Sequence, residues 1–127
     1  MLVSTPISVG ELLDKITILE IKKERIHDAL KLAHINKELE ALVDIVEKQE
    51  LSKTPELFDA LKKVNEELWE IEDNIRLCEK AQDFSERFVE LARSVYVTND
   101  KRAEIKREIN MLTDSDFVEV KSYEEYL

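Results

Sequence analysis

Apolar residues recur at steps of three and four along most of the chain, the period of an amphipathic helix. Val9 opens the first helix. Ser8 can cap its free amides, Glu11 can reach back to the Ser8 amide, and Ile7 stands where a staple residue belongs. Leu12, Ile16, Leu19, Ile26 and Leu30 form the main stripe, interrupted by Lys23. Ile18 and Ile21 fall roughly opposite it, and two apolar faces ask for two partners. Past Leu30 the stripe shifts to Leu32, Ile35, Leu39, Leu42 and Val46. No Pro or Gly intervenes, but Asp28 can cap a new helix. Residues 9–49 therefore read as one long helix or as two nearly collinear ones kinked near His27–Leu30, with propensity on the side of continuity.

Glu50 to Thr54 reads as a loop, and Thr54-Pro55-Glu56 starts the next helix with a cap, a Pro at the first position and an acid in the first turn. Leu57, Leu61, Val64, Leu68, Ile71, Ile75 and Cys78 then alternate steps of four and three, a coiled-coil seam. A second stripe, Leu77, Ala81, Phe84, Phe88, Leu91 and Val95, overlaps it; Asp83-Phe84-Ser85-Glu86 can restart a helix, but a continuous one to about Val97 is simpler. Folding the chain at Leu51–Ser52 sets Val46 against Phe58, Leu39 against Asn65 and its neighbours Val64 and Leu68, Ile35 against Trp69, and Ile16 and Leu19 against Phe88 and Ser85. Thr98-Asn99-Asp100 reads as a cap for a shorter helix, whose edge is Ile105, Ile109 and Leu112. The tail FVEVKSYEEYL alternates and reads as extended or as a lone edge strand. The expected fold is thus all-α. A long antiparallel helical hairpin (about 9–49 and 55–97) carries a shorter packed helix (about 100–112), an N-terminal arm (1–8) and a C-terminal tail (113–127), in one helical domain over 1–127.

Composition supports helices: one Gly and two Pro in 127 residues leave few tight turns. The net charge of -10 repels phosphate backbones and argues against nucleic-acid and anionic-membrane roles. No apolar run approaches a membrane span, MLVSTPIS lacks the pattern of a signal peptide, and a lone Cys78 suits a reducing compartment, so a cytoplasmic location is expected. Cys78 lies on an apolar stripe and reads as buried.

His27 and His34 stand seven apart, about 10 Å along a helix, too far to chelate one metal. The acids Glu66, Glu67, Glu70, Glu72 and Asp73 lie off the seam without a Glu-x-x-His partner, so no metal and no cofactor is expected. The best constellation is VYVTNDKRAEIKREIN, where Lys101, Arg102, Lys106 and Arg107 gather at a helix start offering free amides. Arg93 should approach from the preceding helix, and Glu11, Asp14 and Lys15 from helix 1. Such a cluster can hold a carboxylate or phosphate. Ion pairing with Asp100, Glu104 and Glu108 explains it as well.

PISVGELLDKITILEIKKERI together with FVELARSVYVTNDKRAEIKREIN resembles an uncharacterised family of short bacterial proteins of unknown function, over most of the chain. The resemblance implies that Pro6, Ser8, Gly10, Glu11, Asp14 and Lys15 belong with Asn99, Asp100, Arg102, Lys106 and Asn110. A weaker likeness is to the all-helical chorismate mutases, which share a long first helix and an intertwined dimer. It implies dianion binding by Arg25, Lys15, Lys22, Arg102 and Lys106. Two functional expectations follow. The first is a non-enzymatic helical interaction module, a homodimer or an adaptor for another protein, using Ile18, Ile21, Phe58 and Trp69 as the association surface. The second is a small anionic-ligand site, catalytic or not, built from Glu11, Asp14, Lys15, Arg93, Asn99, Arg102 and Lys106. Whether the chain is an enzyme stays open.

Overall fold

Helices form wherever a cap and the apolar period coincide. The computed structural model describes residues 1–51 and 54–126. Helix α1 spans Val9–Arg25, α2 Ala29–Lys48, α3 Pro55–Lys80 and α4 Glu86–Leu112, with no strand among the described residues. Three expected helix starts hold: Ser8 Oγ accepts from the Glu11 amide at 3.1 Å, Asp28 Oδ1 from the Lys31 amide at 3.0 Å, and Pro55 opens α3, although Thr54 makes no side-chain cap bond there. No helix among the described residues is long and apolar enough to cross a membrane.

The class is all-helical, but neither long arm is continuous. The first breaks at Ile26–Asp28, where Ile26 turns extended and Asp28 restarts the chain as α2. That break is a full reversal: Leu13 and Ile16 of α1 share a cavity with Val43 and Val46 near the end of α2. The second arm breaks between Lys80 and Glu86. There Gln82 takes a left-handed conformation (φ 55°), the Asp83 amide donates to the Cys78 carbonyl at 2.9 Å and the Gln82 amide to Glu79 at 3.1 Å. This is a Schellman end, normally marked by Gly. Glu50 (φ 53°) and Asp114 (φ 51°) close α2 and α4 in the same way. The bend expected at Leu51–Ser52 falls partly on residues outside those described.

The separate helix expected over 100–112 is instead the second half of α4, which passes through Thr98-Asn99-Asp100 unbroken. Thr98 is buried there, and Asp100 is engaged by Lys121 of the tail. The architecture is therefore two antiparallel hairpins, α1/α2 and α3/α4, with α1 packed on both α3 and α4. The backbones of α2 and α3 are not close neighbours, so the continuous seam expected to pair Ile35 with Trp69 and Leu39 with Asn65, Val64 and Leu68 is replaced by packing of α2 on α1. The pairings of Ile16 and Leu19 with Phe88 and Ser85 fail too, because α4 meets α1 through its other half. Val46 and Phe58 do line one cavity, at the end where the hairpins join.

The main apolar core sits at that end. Leu12, Leu13, Ile16, Leu61 and Ile109 are buried together, and Leu39, Leu42, Val43, Val46, Leu57 and Phe58 pack around them. Phe58, expected on an association surface, is thus committed to the core. Ile21 is buried as well, at 1% exposure. The second apolar face of α1 is covered by the chain's own α3 and α4: Ile18 and Ile21 face Leu68, Trp69 and Asn99 across a groove of about 450 Å³. Cys78 is buried, as its stripe position implied.

Candidate functional site

The polar centre lies where α1 crosses α4. Gly10 makes that crossing close: a Cβ there would stand 2.7 Å from the Lys106 carbonyl oxygen and 2.9 Å from Asn110 Oδ1. Close approach lets α4 and the turn after it satisfy the start of α1. The Val9 amide donates to Ser115 Oγ at 3.1 Å and the Gly10 amide to Asn110 Oδ1 at 2.7 Å. The Glu11 and Leu12 amides donate to Ser8, each at 3.1 Å. The first three helical amides, which have no partner within the helix backbone, are thus filled by side chains of the chain itself, and Leu12 makes the first regular helix bond. The free amides expected beside Arg102 do not exist, because α4 does not begin there.

One turn into α1, Asp14 is 1% exposed. Arg102 grips it with two donors, Nε to Oδ1 at 2.9 Å and Nη2 to Oδ2. Asn65 Nδ2 adds a third bond to Oδ1 at 2.9 Å and also donates to Thr17 Oγ1 at 2.7 Å. The Thr17 hydroxyl donates to the Asp14 carbonyl at 2.7 Å. Burial pushes the Asp14 carboxyl up, but the hydrogen bonds from Arg102 and Asn65, with the charges of Arg102 and Lys106, outweigh it and hold the pKa below the usual carboxylate range. The Arg102 guanidinium is correspondingly raised, first by its bond to Asp14. A carboxylate held in this state is a poor general base, and the four side chains act as a clamp joining α1, α3 and α4.

An outer layer surrounds the clamp. Lys106, whose side chain is 6% exposed, donates to Glu11 Oε2 at 2.7 Å and stands 3.4 Å from Glu119 Oε2 of the tail. Glu11 was expected to close a capping box and is instead spent on Lys106. The tail lies extended along α4 without pairing as a strand, tied by Lys121 to Asp100 and by Tyr126 edge-on to Tyr96 at 5.2 Å between ring centres. Lys121 first, then Tyr126, holds the Asp100 carboxyl below its ordinary range. Between tail and helix is a cavity of about 360 Å³.

Of the seven candidate ligand residues, Glu11, Asp14, Arg102 and Lys106 converge, and Asn99 lines both cavities beside Arg102. Lys15 and Arg93 do not join them: Lys15 is exposed on α1, and Arg93 is exposed more than two turns before Arg102. Arg25 is far from this centre, paired with Glu70 and set 5.8 Å over the Trp69 ring. With α1 ending at Arg25, the long first helix behind the likeness to chorismate mutases is also missing. His27 lies in the break and His34 on α2, so they share no helix. Thr17, Asn65, Ser115 and Glu119 were not singled out as site residues from the sequence, whereas Asn110 was named only through the family resemblance. Asn65 carries a readable signal, a polar residue beside the seam position Val64, but no spacing ties it to Asp14.

A family described as "Family of unknown function (DUF6165)" matches residues 3–127. The chain belongs to this family. No curated protein and no solved structure matches the chain. The grouping implied by the resemblance now has a geometry. Ser8, Gly10, Glu11 and Asp14 meet Arg102, Lys106 and Asn110 at one helix crossing, while Pro6 and Lys15 stay exposed.

Proposed function

We propose that this member of the family is a helical interaction module that pairs with a second copy of itself through the outer end of α3/α4. The supporting observation is a set of exposed apolar residues on either side of the α3–α4 turn, with Leu77 59%, Phe84 53% and Val89 50% exposed. The last turn of α1 reaches α3 at Glu70 and Trp69. Beyond that level α3 continues to Lys80 and α4 returns from Glu86 with only each other for company, over roughly 15 Å of helix. Two helices bury little apolar surface alone. A two-fold pairing of such hairpins gives a four-helix cross-section in which each covers the other. The association surface thus moves from Ile18, Ile21, Phe58 and Trp69 to the α3–α4 turn.

The clamp at Asp14 favours this reading over catalysis, since its cations are already matched by buried or partly buried carboxylates. Sedimentation velocity at micromolar concentration should give a dimer. The double substitution Leu77→Ser, Val89→Ser should give a monomer that still melts cooperatively. A wild-type monomer, or a double variant that stays dimeric, overturns the proposal.

A further inference from the structure

We propose that the cavity between the C-terminal tail and α4 binds a flat, largely apolar monoanion such as a small aromatic carboxylate, and that Glu119 is the resident group it displaces. The cavity holds about 360 Å³, within the range of small-ligand sites. Three features define what it takes.

The first is a poorly matched resident. Glu119 Oε2 is enclosed yet makes no hydrogen bond, standing 3.4 Å from Lys106 Nζ. A desolvated carboxylate oxygen without a donor is held weakly. Lys106 keeps its closer bond to Glu11 and presents the rest of its ammonium to whatever replaces Glu119. Arg102 faces the same cavity: Nε and Nη2 donate to Asp14, whereas Nη1 donates to no acceptor among the described residues.

The second is the charge count. Arg102, Lys106 and Lys121 stand among Asp14, Glu11, Asp100 and Glu119, three cations to four carboxylates. Lifting Glu119 out leaves three against three. An incoming monoanion restores the resident balance, whereas a dianion exceeds it.

The third is the wall. Tyr96 and Tyr123 line the cavity with Val95 and Ala103, giving a body of aromatic and apolar surface beside the charged end. The tail that roofs it has no helix or strand of its own and is fastened by Lys121–Asp100 and Tyr96–Tyr126, both partly solvent-exposed. Exposed pairs of this kind contribute little, so the roof lifts at low cost.

Benzoate, acetate and inorganic phosphate are suitable probes, titrated into the full chain and followed by amide NMR and calorimetry. Benzoate should shift the signals of Tyr96, Lys106 and Tyr123 at millimolar concentration. Glu119→Gln keeps the tail but removes the competing charge, and should bind benzoate about tenfold tighter. Tyr123→Ala should weaken binding in either background. No shift from benzoate in wild type and Glu119→Gln alike, or equal affinity in the two, overturns the proposal. So does acetate or phosphate binding there as tightly as benzoate. None of these readouts depends on whether the chain dimerises.

Discussion

The two halves of α4 meet opposite surroundings. Residues from Asn99 onward lie under α1 and the tail, and bury polar side chains: Lys106 and Asn110 are enclosed, and Arg102 is shared between α1 and two cavities. Residues from Glu86 to Val97 have α3 as their main helix neighbour, and show apolar ones to solvent: Val89, Tyr96 and Val97 are exposed, with Tyr96 meeting the tail at Tyr126. The usual arrangement is inverted, polar inside and apolar outside, along one helix. Each half is sensible by its own chemistry. In the inner half the enclosed charges have partners, Arg102 with Asp14 and Lys106 with Glu11, which is the condition for burying them. In the outer half Leu77, Phe84 and Val89 each leave half or more of their surface open, which suits the pairing with a second copy proposed above.

The strongest way to break this comparison is at Asp14. Asp14→Ala leaves the Arg102 guanidinium partly buried without its carboxylate and removes the acceptor of Asn65. Breaking a buried pair from one side costs about 3–5 kcal/mol. Arg102 retains some solvent, so a loss near 3 kcal/mol is expected in urea titration. The same contact sets an acid limit. The folded pKa of Asp14 lies below its unfolded value of about 3.9, so its contribution is complete above that pH and disappears as pH falls through the folded pKa. Asp14→Asn should therefore lower stability at neutral pH and flatten the decline below about pH 4. An unchanged acid limb would mean that Asp14 is not the group clamping α1 to α4.

Gly10→Ala tests the crossing itself and should cost somewhat less. The added methyl meets the Lys106 backbone carbonyl at 2.7 Å, which cannot swing aside as a side chain would. The helices must separate, stretching the Gly10–Asn110 bond. Overpacking of this kind costs about 1–3 kcal/mol, and about 2 kcal/mol is expected from thermal or urea unfolding. Gly10→Ala in the outer-hairpin double variant should cost the same, because the two regions share no contacts.

The inner half was partly legible in the sequence and the outer half was not, for reasons that lie in helix ends. Starts are written locally: Ser8, Asp28 and Thr54-Pro55 each stand beside the helix they open. Ends are usually written by Gly, but the one Gly is used at the α1/α4 crossing, and Glu50, Gln82 and Asp114 adopt the left-handed conformation instead. Without that mark, α3 and α4 read as one rod. The rod then paired with α1–α2 in a register the structure does not adopt. Glu11, Asp14, Arg102 and Lys106 were found because packing helix 1 against residues 100–112 was correct, even though, apart from Val46 with Phe58, the expected hairpin register was not. Asn65 and Glu119 needed the true register, which no local signal supplies.

Gln82→Gly sharpens the same contrast with the smallest effect. At φ 55° a side chain is strained by its Cβ, a penalty of roughly 1–2 kcal/mol that Gly does not carry. Two terms oppose the gain: Gly frees the unfolded chain, and the Gln82 side chain loses its bond to the Glu79 carbonyl at 2.9 Å. That bond is exposed and worth little, so a net stabilisation of about 0.5 kcal/mol is expected in thermal unfolding. Asp114→Gly at the end of α4 should behave alike. If Gln82→Gly instead destabilises the chain, the α3–α4 turn is not closed by a left-handed residue at 82. The outer hairpin, and the apolar cluster gathered at its tip, would then lose their geometric basis.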